Sequence, residues 1–231
     1  MTHVTSVVLA ASMVVLLGAL GGAGGCKSSP TTEDSSGNAA AATSAVPKAT
    51  PVAATQPQKE THVKTQTALF GAGCFWGVES TFRKVPGVVA TAVGYAGGKT
   101  DHPTYEDVCS DRSGHAEVVQ VVYDPEKVSY QKLLETFFEN HDPTTVDRQG
   151  PDYGTQYRSV IFYSGDEQKQ LAEAEKEKRN KSGDYVAPIA TSIDPAPTFW
   201  PAEGYHQQYF EKQGYNWTCH TGNGKKRKVA L

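Results

Sequence analysis

From Thr65 onward, apolar positions fall either in short blocks or at helical spacing, and the two kinds of segment are mixed rather than strictly alternating. Thr67-Ala68-Leu69-Phe70, Val88 to Tyr95, Ala116 to Tyr123 and Ser159 to Tyr163 carry the β-branched and aromatic runs of strands. Val78 to Val85, Tyr130 to Asn140 and Asp166 to Lys181 have helical spacing, with Ser129 as the cap of the second, and a shorter helix is expected over Ala202 to Gln213. Strand, helix, strand, strand, helix, strand predicts an α+β fold, a ferredoxin-like α/β sandwich core joined by long Gly-, Pro- and Asp-rich loops. Loops of that length are expected to build a site.

Residues 27–64 follow a different pattern. They are rich in Ser, Thr, Ala, Pro and Gln, have no aromatic residue and cannot bury enough surface to fold, so they read as a disordered tether. Ahead of them, Val4 to Leu20 is almost wholly apolar and runs into Gly21-Gly22-Ala23-Gly24-Gly25-Cys26, the layout of an export signal over residues 1–26. The layout resembles a bacterial lipoprotein signal, which implies lipidation of Cys26 and an exported domain held at the membrane of the cell envelope. An uncleaved anchor is the alternative, although the stretch is short for a span of about 30 Å of hydrocarbon.

The chain has 231 residues, of which 38% are hydrophobic, and a formal net charge of −3, which suits one ordinary domain plus appendages. Nothing in that balance points to nucleic acid. The basic run Lys225-Lys226-Arg227-Lys228 lies in a tail, residues 220–231, expected to be solvated and frayed. The four cysteines, Cys26, Cys74, Cys109 and Cys219, include no Cys-x-x-Cys pair, which argues against a structural zinc site and a thioredoxin-like centre.

Gly71-Ala72-Gly73-Cys74-Phe75-Trp76-Gly77-Val78-Glu79 places a thiol where a strand becomes a helix. Unpaired N–H groups and the positive end of the helix dipole favour thiolate there, the reactive form. Taken alone, a cysteine is more often an inert packing residue, and two adjacent aromatics more often belong to a core.

Gly73-Cys74-Phe75-Trp76-Gly77 resembles the peptide methionine sulfoxide reductase A family. The likeness continues in order through Pro103 to Cys109, Gly114-His115-Ala116-Glu117, Asp152 to Ser159 and Ala202 to Tyr209, and covers about residues 65–219. It implies reduction of the S epimer of methionine sulfoxide, free or in proteins, as a repair reaction after oxidation. Cys74 would be the nucleophile and Glu117 the proton donor, in place of the edge-strand surface carboxylate that Glu117 would otherwise suggest. Tyr105 and Tyr157 would hold the sulfoxide oxygen, Phe75 and Trp76 would form an apolar slot for the S-methyl group, and Asp152 and His206 would shape the polar side. His206 reads equally well as a hydrogen-bonded structural histidine.

After attack Cys74 would be a sulfenic acid needing a second thiol. Cys219 stands near the family's spacing and is the expected resolving cysteine, while Cys109 matches a position not needed for chemistry and reads as a core residue. Glu79, one turn along from Cys74, is expected to support the fold. No bound cofactor is expected, and thioredoxin or a similar dithiol would serve as reductant of a monomeric enzyme. A Cys-His hydrolase using Cys74 with His206 or His115 is a competing reading, as is an envelope lipoprotein that only binds partners.

Overall fold

The computed structural model describes residues 64–215 together with 224 and 225. The expected export signal with Cys26, most of the tether and Cys219 lie outside the described residues.

The elements, in chain order, are β1 (Gln66–Ala72), α1 (Phe75–Arg83), β2 (Val88–Ala96), α2 (Tyr105–Cys109), β3 (Ala116–Tyr123), α3 (Tyr130–Glu139), β4 (Arg148–Gln149), β5 (Asp152–Tyr153), a 3-10 turn (Thr155–Tyr157), β6 (Ser159–Tyr163), α4 (Asp166–Ser182), β7 (Ser192–Pro195), β8 (Trp200–Pro201) and α5 (Tyr209–Lys212). The main sheet has the order β7-β6-β1-β3-β2-β8. Its four central strands pair antiparallel, whereas β7 adds parallel to β6. First strand beside third and fourth strand outside the first is the split βαβ order, so the ferredoxin-like α+β core expected from the pattern is present.

Period-two alternation divides the sheet into two faces. Ala68, Phe70 and Ala72 of β1 face the helices with Val119, Val121 and Tyr123 of β3 and Ile161 of β6. Phe70 is fully buried, and its ring stacks on Phe82, Tyr130 and Phe137 with centroids 5.1, 6.1 and 5.3 Å away. Leu69, Val118, Val160 and Phe162 point the other way and are covered in part by Phe199. Because β1 is buried on both faces, its sequence is a continuous apolar block rather than an alternation. Gly94 on β2 lets this cover approach, since a Cβ there would lie 2.3 Å from the Trp200 carbonyl oxygen.

Two expectations need correction here. The segment expected as a helix over Ala202 to Gln213 is helical only from Tyr209 to Lys212. Gln208 is left-handed at φ 53°, and the Gln207 side chain acts as a strand mimic, accepting from Val93 N–H at 2.9 Å and donating to Val93 C=O at 2.9 Å. Tertiary hydrogen bonds have overridden local helix propensity. Gly224 and Lys225, placed in the solvated tail, instead meet Tyr185 and Val186, with Val186 N–H donating to Gly224 C=O at 3.0 Å.

Candidate active site

Gly73, at φ 91°, turns the chain out of β1, and Cys74 takes the N-cap position of α1 with non-helical backbone (φ −54°, ψ 116°). Cys74 is half-buried and carries its thiol rather than a disulfide. The N-cap side chain does not itself close this helix end. The first N–H of the helix, that of Phe75, donates instead to Glu117 Oε2 at 3.0 Å.

Glu117 reaches that point because it has the parity of Val119 and Val121 on β3 and so points to the helix side. It is buried and pairs in register with Tyr95 of β2. A carboxyl buried among apolar neighbours carries a large desolvation cost unless a donor meets it, and the helix terminus supplies that donor. The sheet therefore delivers the Glu117 carboxyl to the residue next to Cys74.

Tyr105 opens α2 and Tyr157 closes the 3-10 turn, and the two supports are tied together. Asp111, just past α2, accepts from Thr155 N–H at 2.8 Å and from Thr155 Oγ1 at 2.5 Å. Burial raises both tyrosines well above the ordinary phenol range, and the charges of Glu117 and then Cys74 push them further. Both hydroxyls are thus protonated donors at neutral pH, within electrostatic reach of Cys74 and Glu117. Asp152 is half-buried on the β4–β5 hairpin, burial raises its carboxyl, and its charge is felt by both tyrosines.

The apolar wall divides between its two aromatics. Phe75 is buried in the main core against Tyr95 (5.9 Å) and His206 (5.0 Å), whereas Trp76 is half-buried and stacks on Tyr209 at 4.0 Å. Trp76 Nε1–H donates to His206 Nδ1 at 3.0 Å, which fixes the imidazole proton on Nε2. That Nε2 is buried, has no hydrogen-bond partner among the described residues and lies 3.8 Å from Glu203 Oε2. Burial lowers His206 from 6.5 to about 4, against the opposing charges of Glu203 and Glu106. His206 is therefore a neutral histidine that orients the indole.

These contacts remove the base that a Cys-His hydrolase would need. His206 Nδ1 is committed to Trp76, and His115 is committed to Gly98 N–H (3.1 Å) and Thr100 C=O (2.8 Å). Glu79 is buried and structural, accepting from Thr91 Oγ1 at 2.9 Å and from Gln208 N–H at 2.7 Å. Cys109 departs from the expected core role: it is half-buried at the end of α2 and is disulfide-bonded.

Glu203 is a member of the site that the sequence reading passed over. It accepts from Tyr95 Oη at 2.8 Å and from Tyr105 N–H at 2.9 Å. Its spacing of three from His206 was the available cue, but an acidic residue near an expected helix start reads first as an end-of-helix charge.

His206 also gives the site a stability signature. Its folded value lies below its unfolded one, so its contribution is whole above about pH 6.5 and is lost as pH falls toward about 4. The loss amounts to up to about 3 kcal/mol. Denaturant unfolding from pH 7 to pH 4 should show wild type losing more stability than His206→Gln by that amount, and parallel profiles would contradict the buried neutral imidazole.

The family model for peptide methionine sulfoxide reductase matches residues 66–230. Peptide methionine sulfoxide reductase MsrA of Methanoculleus marisnigri is 63% identical over 149 residues, covering 64% of this chain and 91% of that protein. The MsrA of Geobacter metallireducens is 61% identical over 149 residues, covering 64% and 92%. Among solved structures, reduced Mxr1 from Saccharomyces cerevisiae is similar with a TM-score of 0.62 at 40% identity, covering 70% of this chain and 92% of that one. Methionine sulfoxide reductase A of Corynebacterium diphtheriae gives 0.61 at 38% identity, covering 72% and 85%. A thiol at a helix start, a buried carboxyl on its neighbouring N–H and an indole fixed by a neutral histidine thus belong to a chain of known kind: it is a member of the peptide methionine sulfoxide reductase family.

Proposed function

We propose that the site reduces the S epimer of methionine sulfoxide, free or in proteins, with Cys74 as nucleophile and Glu117 as proton donor. The observation that carries the reading is the Phe75 N–H to Glu117 hydrogen bond, which sets a carboxyl beside the nucleophile's own helix turn. Thiolate attack on the sulfoxide sulfur forms a bond from Cys74 Sγ, and the sulfoxide oxygen takes the proton from Glu117. Tyr105 and Tyr157 donate to that oxygen as its charge grows. The hydroxyl then passes from the substrate sulfur to Cys74 Sγ as the S–O and S–S bonds break, so that Cys74 is left as a sulfenic acid and methionine is released with its sulfur reduced by two electrons. Trp76 offers its half-exposed indole to the S-methyl group, and Asp152 closes the polar side.

Cys74→Ser should abolish reduction while leaving the fold intact, because a hydroxyl is not ionised enough to attack sulfur. Glu117→Gln should slow the single-turnover step by about a hundredfold or more, as expected for loss of a general acid. Both are read by release of methionine from enzyme mixed with excess sulfoxide. Substantial activity in the first variant, or an unchanged rate in the second, would sink the assigned roles.

For the reset, Cys219 is the proposed resolving cysteine. Its thiol would attack the sulfenic sulfur, expelling water and leaving a Cys74–Cys219 disulfide that a thioredoxin-like dithiol reduces, becoming a disulfide itself. A second reading gives Cys109 a share, favoured by its half-buried, disulfide-bonded state at the end of the helix that carries Tyr105. With thioredoxin as sole reductant, Cys219→Ser should release one equivalent of methionine and stall, whereas Cys109→Ser should keep turning over. The reverse pattern would transfer the resolving role to Cys109.

The domain is further proposed to be exported and anchored in a bacterial cell envelope through lipid on Cys26, with residues 27–64 as tether. Support lies in the apolar Val4 to Leu20 run and the small residues before Cys26. Mass spectrometry of the native protein should find a diacylglycerol thioether and an acylated amine on Cys26, and a chain beginning at an unmodified residue would rule this out.

A further inference from the structure

We propose that Glu203 is a positioning residue for the reaction, setting the Tyr105 hydroxyl by capping the helix that begins with Tyr105. This inference rests on the proposed role of Tyr105 as donor to the sulfoxide oxygen.

Helix α2 has five residues, far too few to hold itself in place. Its first turn is fixed by side chains. Thr104 Oγ1 accepts from Asp107 N–H at 3.2 Å, Asp107 Oδ2 accepts from Thr104 N–H at 3.0 Å, and Glu203 Oε1 accepts from Tyr105 N–H at 2.9 Å. The Thr104 and Asp107 pair is a capping box within the helix itself, so it shapes the turn without locating it in the molecule. Glu203 comes from 98 residues away and does locate it.

The other carboxylate oxygen of Glu203 is anchored on the sheet, because Tyr95 Oη donates to Oε2 at 2.8 Å and Tyr95 is fully buried in β2 opposite Glu117. A short rigid path therefore runs from the strand pair that carries the acid, through Tyr95 and Glu203, to the backbone of Tyr105. The same carboxylate lies 3.8 Å from His206 Nε2, whose ring is 4.5 Å from the Tyr105 ring.

Glu203 also has the ionisation this role requires. Burial acts to raise its carboxyl, but hydrogen bonds from its own backbone N–H, from Tyr105 N–H and from Tyr95 outweigh burial and hold it below the ordinary range. Its side chain is about one-third exposed (33%), so water can help solvate the charge. A proton donor to the substrate would need the opposite tuning. Glu203 thus acts through Tyr105 and leaves the proton transfer to Glu117.

The test is a double-mutant cycle on the single-turnover release of methionine, using the full chain. Glu203→Ala should slow this step by about tenfold in the wild-type background, and by less than about twofold when Tyr105 is already Phe, because the hydroxyl it positions is gone. Glu203→Gln should stay within about threefold of wild type: its amide oxygen can accept from Tyr105 N–H, and its amide N–H can donate to the Tyr95 oxygen. If Glu203→Ala does not fold, Glu203→Asp, which keeps the charge and shortens the reach, replaces it in the cycle. Equal losses in both backgrounds would overturn positioning through Tyr105, and a Gln variant as slow as the Ala variant would make the Glu203 charge itself part of the chemistry. Absence of sulfoxide reduction in the wild type would instead strike the proposed function.

Discussion

The hydrogen bond from Phe75 N–H to Glu117 is the contact on which the site depends. It joins the β1–α1 turn, which presents Cys74, to β3, the central strand between β1 and β2. One free helix N–H meets one buried carboxyl, and each satisfies a group that would otherwise be costly to bury. Shifting β3 by one residue against its neighbours would send Glu117 to the opposite face and replace it with Ala116 or Val118. The antiparallel register of β2 and β3 therefore places the proposed proton donor as well as holding the sheet.

Around that contact the fold separates donors from the apolar wall. Tyr105, Tyr157 and Asp152 come from short, loop-borne elements, and the Asp111 to Thr155 hydrogen bonds tie the first two together. Trp76 comes from α1 and is oriented by His206, in the segment before α5. Glu79, on the same helix as Trp76, anchors that segment by accepting from Gln208 N–H. A half-exposed indole on a rigid helix can form one wall for a small apolar group, while short elements between the main strands and helices carry the polar groups.

Much of this was legible in the sequence because the central elements bury continuous apolar surface. The strand over Ala116 to Tyr123 and the helix opened by Ser129 appear where the residues put them, with Ser129 Oγ accepting from Lys132 N–H. Cys74 at a helix start followed from glycines leading into a helical pattern, and Glu117 from its motif. The stretch from Ala202 to Gln213 was misread because Gln207 spends its side chain on the edge of β2 and Gln208 turns left-handed, neither of which leaves a periodic trace. Five-residue α2, two-residue β4, β5 and β8, and the Glu203 contacts 98 and 108 residues distant are set by tertiary partners that no local pattern encodes. The disulfide state of Cys109 likewise depends on what the fold brings near it.

The most direct test of the account is the pH titration of the Phe75 backbone amide by NMR, set beside the pH dependence of single-turnover methionine release. An amide that donates to Glu117 must report that carboxyl's protonation through its nitrogen and proton shifts. The account predicts that the amide titrates with the same midpoint as the falling limb of the rate, where Glu117 loses the proton it must deliver. A Phe75 amide that does not titrate, or that titrates with a midpoint unrelated to the rate, would contradict the claim that this hydrogen bond holds the catalytic acid beside Cys74.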